Sequence, residues 1–473
     1  MKILVKLIPP VLLLLAGIAY GLLAGRYDLF PANLLKSPTH NNYGLLNVRP
    51  GSGLIRKDGG FWHLRRGFEV GERRKTLEQL RSLPYVTGSE SLAEKTGVTV
   101  HERDRTAAGY NLYSSAHGPQ AFIIDMDGRV LHRWERDRDA VWPQLSRTDV
   151  DKARRYFRSV HVFENGDLLA IYEFTGIIRL DSESKLVWAH QGWNHHDLDV
   201  DHQDRIYVLG RDIDEMGRHS LQAKDRTQPP KVIAGRRVFD ESITILNPGG
   251  DVIDKISIIE CIENSVFAPL LDMAFYFPPQ DPLDLLHPNT VDVLDGTHAS
   301  RSPAFRKGNI LTSFRNLSTV AIIDPTAREV VWVLSGGWRY QHQPVLMENG
   351  MMLVFDNLAG GWFVPEGTQY SRVVEFDPLT QEVVWEFAGS DGSPFFSSLM
   401  GANQRLWNGN TLITESDYGR VIEVTPDKRI VWEFNNPHTA GDDDEFVATI
   451  PEMTRLHPDF PLHNFARKTS TKN

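Results

Sequence analysis

A unit of about fifty residues repeats along this chain, and it repeats as short strands rather than helices. Each copy carries an apolar run closed by a polar residue, then an apolar stretch ending in tryptophan. The copies run from Ile124-Asp125 to Trp134, Leu180-Asp181 to Trp188, Ile323-Asp324 to Trp332, Phe376-Asp377 to Trp385 and Val424-Thr425 to Trp432. Trp134 and Trp188 are 54 residues apart, Trp332 and Trp385 are 53 apart, and Trp385 and Trp432 are 47 apart. A sixth copy, Ile245-Leu246-Asn247 to Ile256-Ser257-Ile258, lacks the tryptophan. Four short strands per period of this length cannot bury their apolar faces alone and must stack on neighbours, which is the pattern of a β-propeller blade. The expectation is therefore an all-β fold, a six-bladed β-propeller over residues 97–445, with the tryptophans packing between blades.

The rest of the chain reads differently. Lys2 and Lys6 precede nineteen uncharged residues, Leu7–Gly25. That length spans a bilayer marginally, and basic residues on its N-terminal side leave the remainder outside the cytoplasm. Residues 1–25 are read as a membrane-anchor helix, with a cleaved signal sequence as the alternative, since Pro9-Pro10 shortens the clean helix. Residues 26–96 read as a stalk with a short helix near 76–83, and residues 446–473 as a C-terminal tail. The propeller is expected to be periplasmic or otherwise extracytoplasmic. The 473 residues hold 51 Lys and Arg against 61 Asp and Glu, a formal charge of −10, which argues against nucleic acid as a partner. Cys261 is the single cysteine, so neither an internal disulfide nor an all-cysteine metal site can form.

Polar residues recur at one slot of the repeated hairpin. His342 lies seven residues before Asn349-Gly350 and Asn357 seven after it. His196 and Arg211 flank Gln203-Asp204 in the same way, and Arg158 and Glu173 flank Asn165-Gly166. Equal offsets about a two-residue turn predict cross-strand neighbours. Arg315 stands seven after Gly308. Gathered around a channel, these residues allow three chemistries. His196, His287 and His342 match the ligand number of a zinc site, but Arg211 and Arg315 oppose a cation. A propeller that binds a ligand without chemistry, or scaffolds an envelope assembly, is the second. The third is transfer of an oxyanion through a histidine nucleophile, with arginine donors on the charged oxygens and a second histidine for the proton.

The segments Gly109-Tyr110-Asn111-Leu112-Tyr113, His195-His196-Asp197-Leu198, His287-Pro288-Asn289, Arg315 and Gln341-His342 followed by Phe355-Asp356-Asn357 resemble those of bacterial arylsulfate sulfotransferases. These are the PAPS-independent kind, which do not use adenosine phosphosulfate. The resemblance covers roughly residues 97–437. It implies a six-bladed propeller, no cofactor, no metal, an aryl sulfate donor and a hydroxyl acceptor, and a sulfated histidine intermediate. By the same resemblance His342 is the nucleophile, and His196, His287, Asn289 and Arg315 bind the sulfuryl oxygens or handle the proton. Asn357 and Arg211 are expected to assist binding. Pro288 stands where the family has threonine, the disulfide of some secreted members cannot form, and the N-terminal anchor suggests a divergent membrane-anchored branch. A quinone-type dehydrogenase is the weaker rival, since no cofactor motif is present.

Overall fold

The computed structural model describes residues 54–57, 60–65, 96–145, 155–212, 231–233, 236–276, 284–359, 370–390, 393–441 and 444–465. The expected anchor at 1–25 and the short helix near 76–83 lie outside them. Among the described residues no helix is long and apolar enough to cross a membrane.

The described residues are mostly strand, with few helices, in a propeller-like all-β arrangement. Among the described residues, six antiparallel sheets of four or five strands follow one another in chain order, and a further four-stranded sheet pairs Leu54–Lys57 and Gly60–Leu64 with Phe446–Ala448 and Thr439–Ala440. The second sheet runs Phe157–Val162, Leu168–Tyr172, Gly176–Leu180, Leu186–Gln191. The third begins at Asn194–Val200, the fourth at Pro288–Val293, the fifth at His342–Leu346 and the sixth at Ala402–Arg405. The first sheet is completed from the far end of the chain, because Met453–Leu456 pairs with Tyr110–Ser114 as its first strand. In return, Gly97–His101 adds a fifth strand to the outer edge of the sixth sheet. The segment expected as a C-terminal tail is thus partly structural. No local pattern at 446–456 announced this, because its strand pairs with residues more than 300 positions away. Gly60–Leu64, expected as stalk, likewise pairs with Phe446–Ala448.

Two recurring devices explain the repeat. The Asp or Asn that closes the third strand in five of these sheets caps the turn after it. Asp125, Asp181, Asn247, Asp324 and Asp377 each accept two backbone N–H groups of that turn through Oδ1. The tryptophans fasten one sheet to the next. The indole N–H of Trp134 donates to the carbonyl of Gly166 at 3.1 Å, that of Trp188 to Pro248 at 3.0 Å, that of Trp385 to Pro426 at 3.0 Å and that of Trp432 to Met126 at 2.9 Å. The last bond joins the sixth sheet back to the first. Facing sheets bury apolar side chains between them: Leu169, Ile171 and Ile177 of the second sheet meet Val208 and Leu246 of the third.

First strands also hold one another. The carboxylates of Asp197 and Asp199 accept the backbone N–H groups of Val291 and Val293, joining the third sheet to the fourth. Thr290 accepts from the Gln343 N–H, and Gln343 in turn accepts from the Asn403 N–H. Gln404 and Arg455 bridge the sixth sheet to the first. These joints bring the N-terminal ends of the first strands side by side.

Candidate active site

At that end, four consecutive first strands carry a β-bulge, between Phe157 and Val160, Asn194 and Leu198, Pro288 and Val291, and His342 and Val345. A bulge places extra residues on one strand and re-aims their side chains. His196, His287, Tyr340 and Gln343 all sit here with φ between +43° and +56°. Non-glycine residues hold that left-handed backbone at a cost of about 1–2 kcal/mol each. Such strain recurs at this end of three adjacent sheets.

The bulges also correct the expected register. His342 pairs in the ladder with Phe355 rather than Asn357, and Arg211 pairs with Glu241 on the next strand rather than with His196. Equal counting fails first at the turn, where Leu346 already pairs with Met352 and Val200 with Ile206, one position off the count, and each bulge then adds a further shift. The side chains of His342 and Asn357 nevertheless meet, and Arg158 Nε lies 4.0 Å from Glu173.

His342 is buried, and its Nδ1 lies 2.8 Å from Asn357 Oδ1 and 3.1 Å from the Tyr340 carbonyl. The Asn357 amide cannot be turned round, because its Nδ2 donates to the carbonyls of Ser397 and Met400 at 2.7 and 2.9 Å. Both neighbours of Nδ1 are therefore acceptors, and Nδ1 must carry the proton. Nε2 keeps its lone pair. Burial, helped by the positive charge of Arg315, holds His342 well below the usual histidine range, so the ring stays neutral.

His287 and His196 pack edge to face with centroids 4.8 Å apart. His287 Nδ1 lies 2.5 Å from Asp284 Oδ2. Burial works against ionisation of Asp284, but the charge and hydrogen bond of His287 outweigh it and hold the carboxyl well below its usual range. His196 Nδ1 lies 2.8 Å from His195 Nδ1, and His195 Nε2 lies 2.9 Å from Glu241 Oε2. Burial and the neighbouring charge of His287 hold His196 well below the ordinary histidine range. Arg315 follows directly, its N–H donating to the His287 carbonyl, with its guanidinium 4.0 Å over the Tyr340 ring. Tyr340 lies under the Arg315 guanidinium and accepts from His342 through its carbonyl, the Arg315 backbone N–H reaches the His287 carbonyl, and His287 packs on His196, so contacts link His196, His287, Arg315 and His342.

Two further expected residues are held by packing and hydrogen bonds of their own. Arg211 is sandwiched between Phe174 and Phe239, 4.1 and 4.3 Å from their centroids, with Nη1 3.8 Å from Glu241. Asn289 donates to the Gln341 carbonyl at 2.8 Å and accepts from the Thr290 hydroxyl, tying the fourth sheet to the fifth. His195, Glu241 and Asp284 escaped sequence reasoning. Asp284 was within reach of it, three residues before His287; Glu241 was not, since its partner His195 is 46 residues away. Cys261 is buried in the helix Ile258–Glu263, away from these groups in the sequence and on another element.

The site can do three things at once. It holds a neutral imidazole with a fixed lone pair, offers arginine N–H groups for anionic oxygens, and keeps further histidines at hand for proton traffic.

Residues 158–437 match the family model described as arylsulfotransferase (ASST). No curated protein matches the chain. Among solved structures, it is similar to a protein of unknown function from Bacteroides caccae at 12% identity and a TM-score of 0.45, over 73% of this chain and 98% of that one. It is also similar to BamB from Moraxella catarrhalis at 12% identity and a TM-score of 0.32, over 86% and 99% of the two chains. A third similar structure is the WD40 β-propeller domain of Doa1, at 10% identity and a TM-score of 0.38, over 76% and 96%.

Proposed function

Since this chain belongs to the arylsulfotransferase (ASST) family, we propose that it moves a sulfuryl group from an aryl sulfate ester to a phenolic or other hydroxyl acceptor, with His342 as the nucleophile. We read the six sheets that follow one another in chain order as six blades around one channel, with the histidine cluster at one mouth.

The observation that carries this reading is the fixed tautomer of His342. Its Nδ1–H is committed to Asn357 and Tyr340, and burial holds its pKa well below the usual histidine range, so Nε2 is a neutral nucleophile near neutral pH. In the first half-reaction Nε2 attacks sulfur. The S–N bond forms, the S–O bond to the aryl group breaks, and the departing aryl oxide takes a proton from a neighbouring histidine. In the second half the same histidine takes the proton of the acceptor hydroxyl. Its oxygen attacks sulfur, the S–N bond breaks, and neutral His342 is restored. Arg315 opposes the charge on the sulfuryl oxygens with planar donors that stay protonated. Asp284 keeps His287 in one orientation beside them.

Incubation with 4-nitrophenyl sulfate and no acceptor tests the reading. One sulfuryl group should appear on His342, trapped at neutral or alkaline pH and located by peptide mass spectrometry. Neither adduct nor nitrophenol release from several aryl sulfates would return the fold to a ligand-binding role. Membrane anchoring through Leu7–Gly25 belongs to the same proposal and rests on that apolar run behind Lys2 and Lys6. It predicts protein in the membrane fraction with a protease-accessible propeller in spheroplasts. Soluble protein with a new N-terminus near residue 25 would replace the anchor with a cleaved signal.

A further inference from the structure

Behind His196 lies a pair of groups that the transfer chemistry above does not use. His195 is buried, and its two ring nitrogens are both engaged: Nδ1 at 2.8 Å from His196 Nδ1, Nε2 at 2.9 Å from Glu241 Oε2. Two nitrogens facing each other share one hydrogen, so the tautomers of His195 and His196 are tied together. If Glu241 is ionised, it accepts from His195 Nε2–H. His195 Nδ1 then accepts from His196 Nδ1–H, and His196 Nε2 is a base. If Glu241 is protonated, every hydrogen in the row shifts by one place. Glu241 donates to His195 Nε2, His195 Nδ1–H donates to His196 Nδ1, and His196 Nε2–H is an acid.

Building on the sulfuryl-transfer reading, we propose that Glu241 and His195 are positioning residues that form a proton relay, letting His196 serve as acid to the leaving aryl oxide and as base to the incoming hydroxyl. The bookkeeping of protons is complete. When the S–O bond breaks, the aryl oxide takes the Nε2 proton of His196. His196 Nδ1 takes one from His195 Nδ1, and His195 Nε2 takes one from Glu241, which becomes a carboxylate. Acceptor attack on sulfur runs the row backwards and leaves Glu241 protonated again. No oxidant or second reactant is needed.

The surroundings explain why a relay is useful here. A lone His196 acting as acid would first have to become a cation. Burial opposes that, as do the charges of His287 and Arg158. His195 is held neutral in the same way, by burial and Arg211. The relay avoids both cations by keeping the exchangeable proton on a carboxyl group. Burial pushes Glu241 up to about 8, although Arg211, across the ladder, pulls it down. The other charged groups around it are Asp240 on its own strand and Asp284 and His287 from the fourth sheet side. A carboxyl poised there is protonated at neutral pH yet gives up its proton readily.

The test uses the full-length protein as wild type, Glu241→Gln and His195→Gln, with phenyl sulfate and 4-nitrophenyl sulfate as donors. Phenol release is followed before acceptor is added. Phenoxide is the more basic leaving group and needs the proton more. Glu241→Gln keeps a hydrogen-bonding side chain but cannot exchange a proton. Both variants should slow phenyl sulfate cleavage on the order of 10²-fold, and 4-nitrophenyl sulfate cleavage by far less. Wild-type cleavage of phenyl sulfate should decline as pH rises through about 8, and Glu241→Gln should lose that decline. Equal losses with both donors, or the same decline in the variant, would overturn the relay. A measurement on wild type alone covers the case of variants that fail to fold: in mixtures of light and heavy water, the rate with phenyl sulfate should bend with deuterium content. A straight line means one proton in motion and overturns the relay. Absence of an adduct on wild-type His342 overturns the transfer reading and the relay together; a normal adduct with unchanged leaving-group dependence overturns the relay alone.

Discussion

His342 is buried and His196 largely so; both are neutral, and both are placed on a bulge at the start of a first strand. They differ in what their Nδ1 meets. His342 faces an amide oxygen and a main-chain carbonyl, which accept and never donate. His196 faces another imidazole, itself backed by a carboxyl group. The first arrangement permits one tautomer and suits a nucleophile. The second permits two and suits proton transfer. Burial and nearby positive charge make both rings neutral, so it is the chemistry of the partner that separates the two roles.

The comparison breaks most visibly at the nucleophile. His342→Ala should abolish the sulfuryl adduct and lower turnover by about 10⁴- to 10⁶-fold, measured by mass spectrometry and phenol release. Near-normal turnover would move the nucleophile elsewhere in the cluster. Arg315→Ala should reduce turnover by about 10²- to 10³-fold, as loss of a charged donor to the oxyanion commonly does. Circular dichroism should be unchanged, since its guanidinium lies over Tyr340 rather than in an apolar core cluster.

Asn357→Ala sharpens the contrast, because it removes the acceptor that fixes His342 and leaves the relay side intact. Transfer from 4-nitrophenyl sulfate should fall by roughly tenfold. The same change removes one of two donors from each of the carbonyls of Ser397 and Met400, which keep the hydroxyls of Ser371 and Ser397. Stability should therefore fall only by the net worth of the lost hydrogen bonds, about 1 kcal/mol each, in a denaturant titration; an unchanged midpoint would mean that the remaining hydroxyls suffice.

The smallest effect concerns stability against pH. His195, His196 and His342 have folded values depressed below the unfolded value of about 6.5. The unfolded chain therefore takes up protons first as pH falls. Stability from these rings is complete above about 6.5 and is lost progressively below it. Glu241 behaves oppositely: its folded value is raised, so its contribution is complete below the unfolded value of about 4.3 and is lost as pH rises through about 8. Melting temperatures of wild type should drop from pH 6.5 toward 5. At pH 9, Glu241→Gln should melt above wild type, and an equal or lower melting point there would contradict a carboxyl raised by burial.

Much of the fold was legible along the chain. Acids such as Asp181 and Asp377 act within four residues, on the turn they close, so their repeat is visible in the sequence. Trp188 and Trp385 repeat because each meets an equivalent turn of the next sheet. The meeting of His342 and Asn357 was also legible, since both flank one hairpin. The bulges that re-aim His196 and His342 were not, because nothing in the strand composition marks where a ladder slips. Glu241 was hidden for a different reason: it looks like an acid paired with Arg211, and only the packing of His195 against it reveals the second partner.

By itself, the sequence determined the all-β repeat, its period and the residue types gathered at one level of each hairpin, because turn capping and strand alternation depend on neighbours close along the chain. Tertiary structure alone decided that Met453–Leu456 completes the first sheet, that Asn357 faces its oxygen toward His342, and that His195 is linked to Glu241. Those outcomes depend on burial and on hydrogen bonds between distant segments. A buried donor or acceptor without a partner costs more than any local preference contributes, so the partners available in the folded molecule set the protonation of each ring.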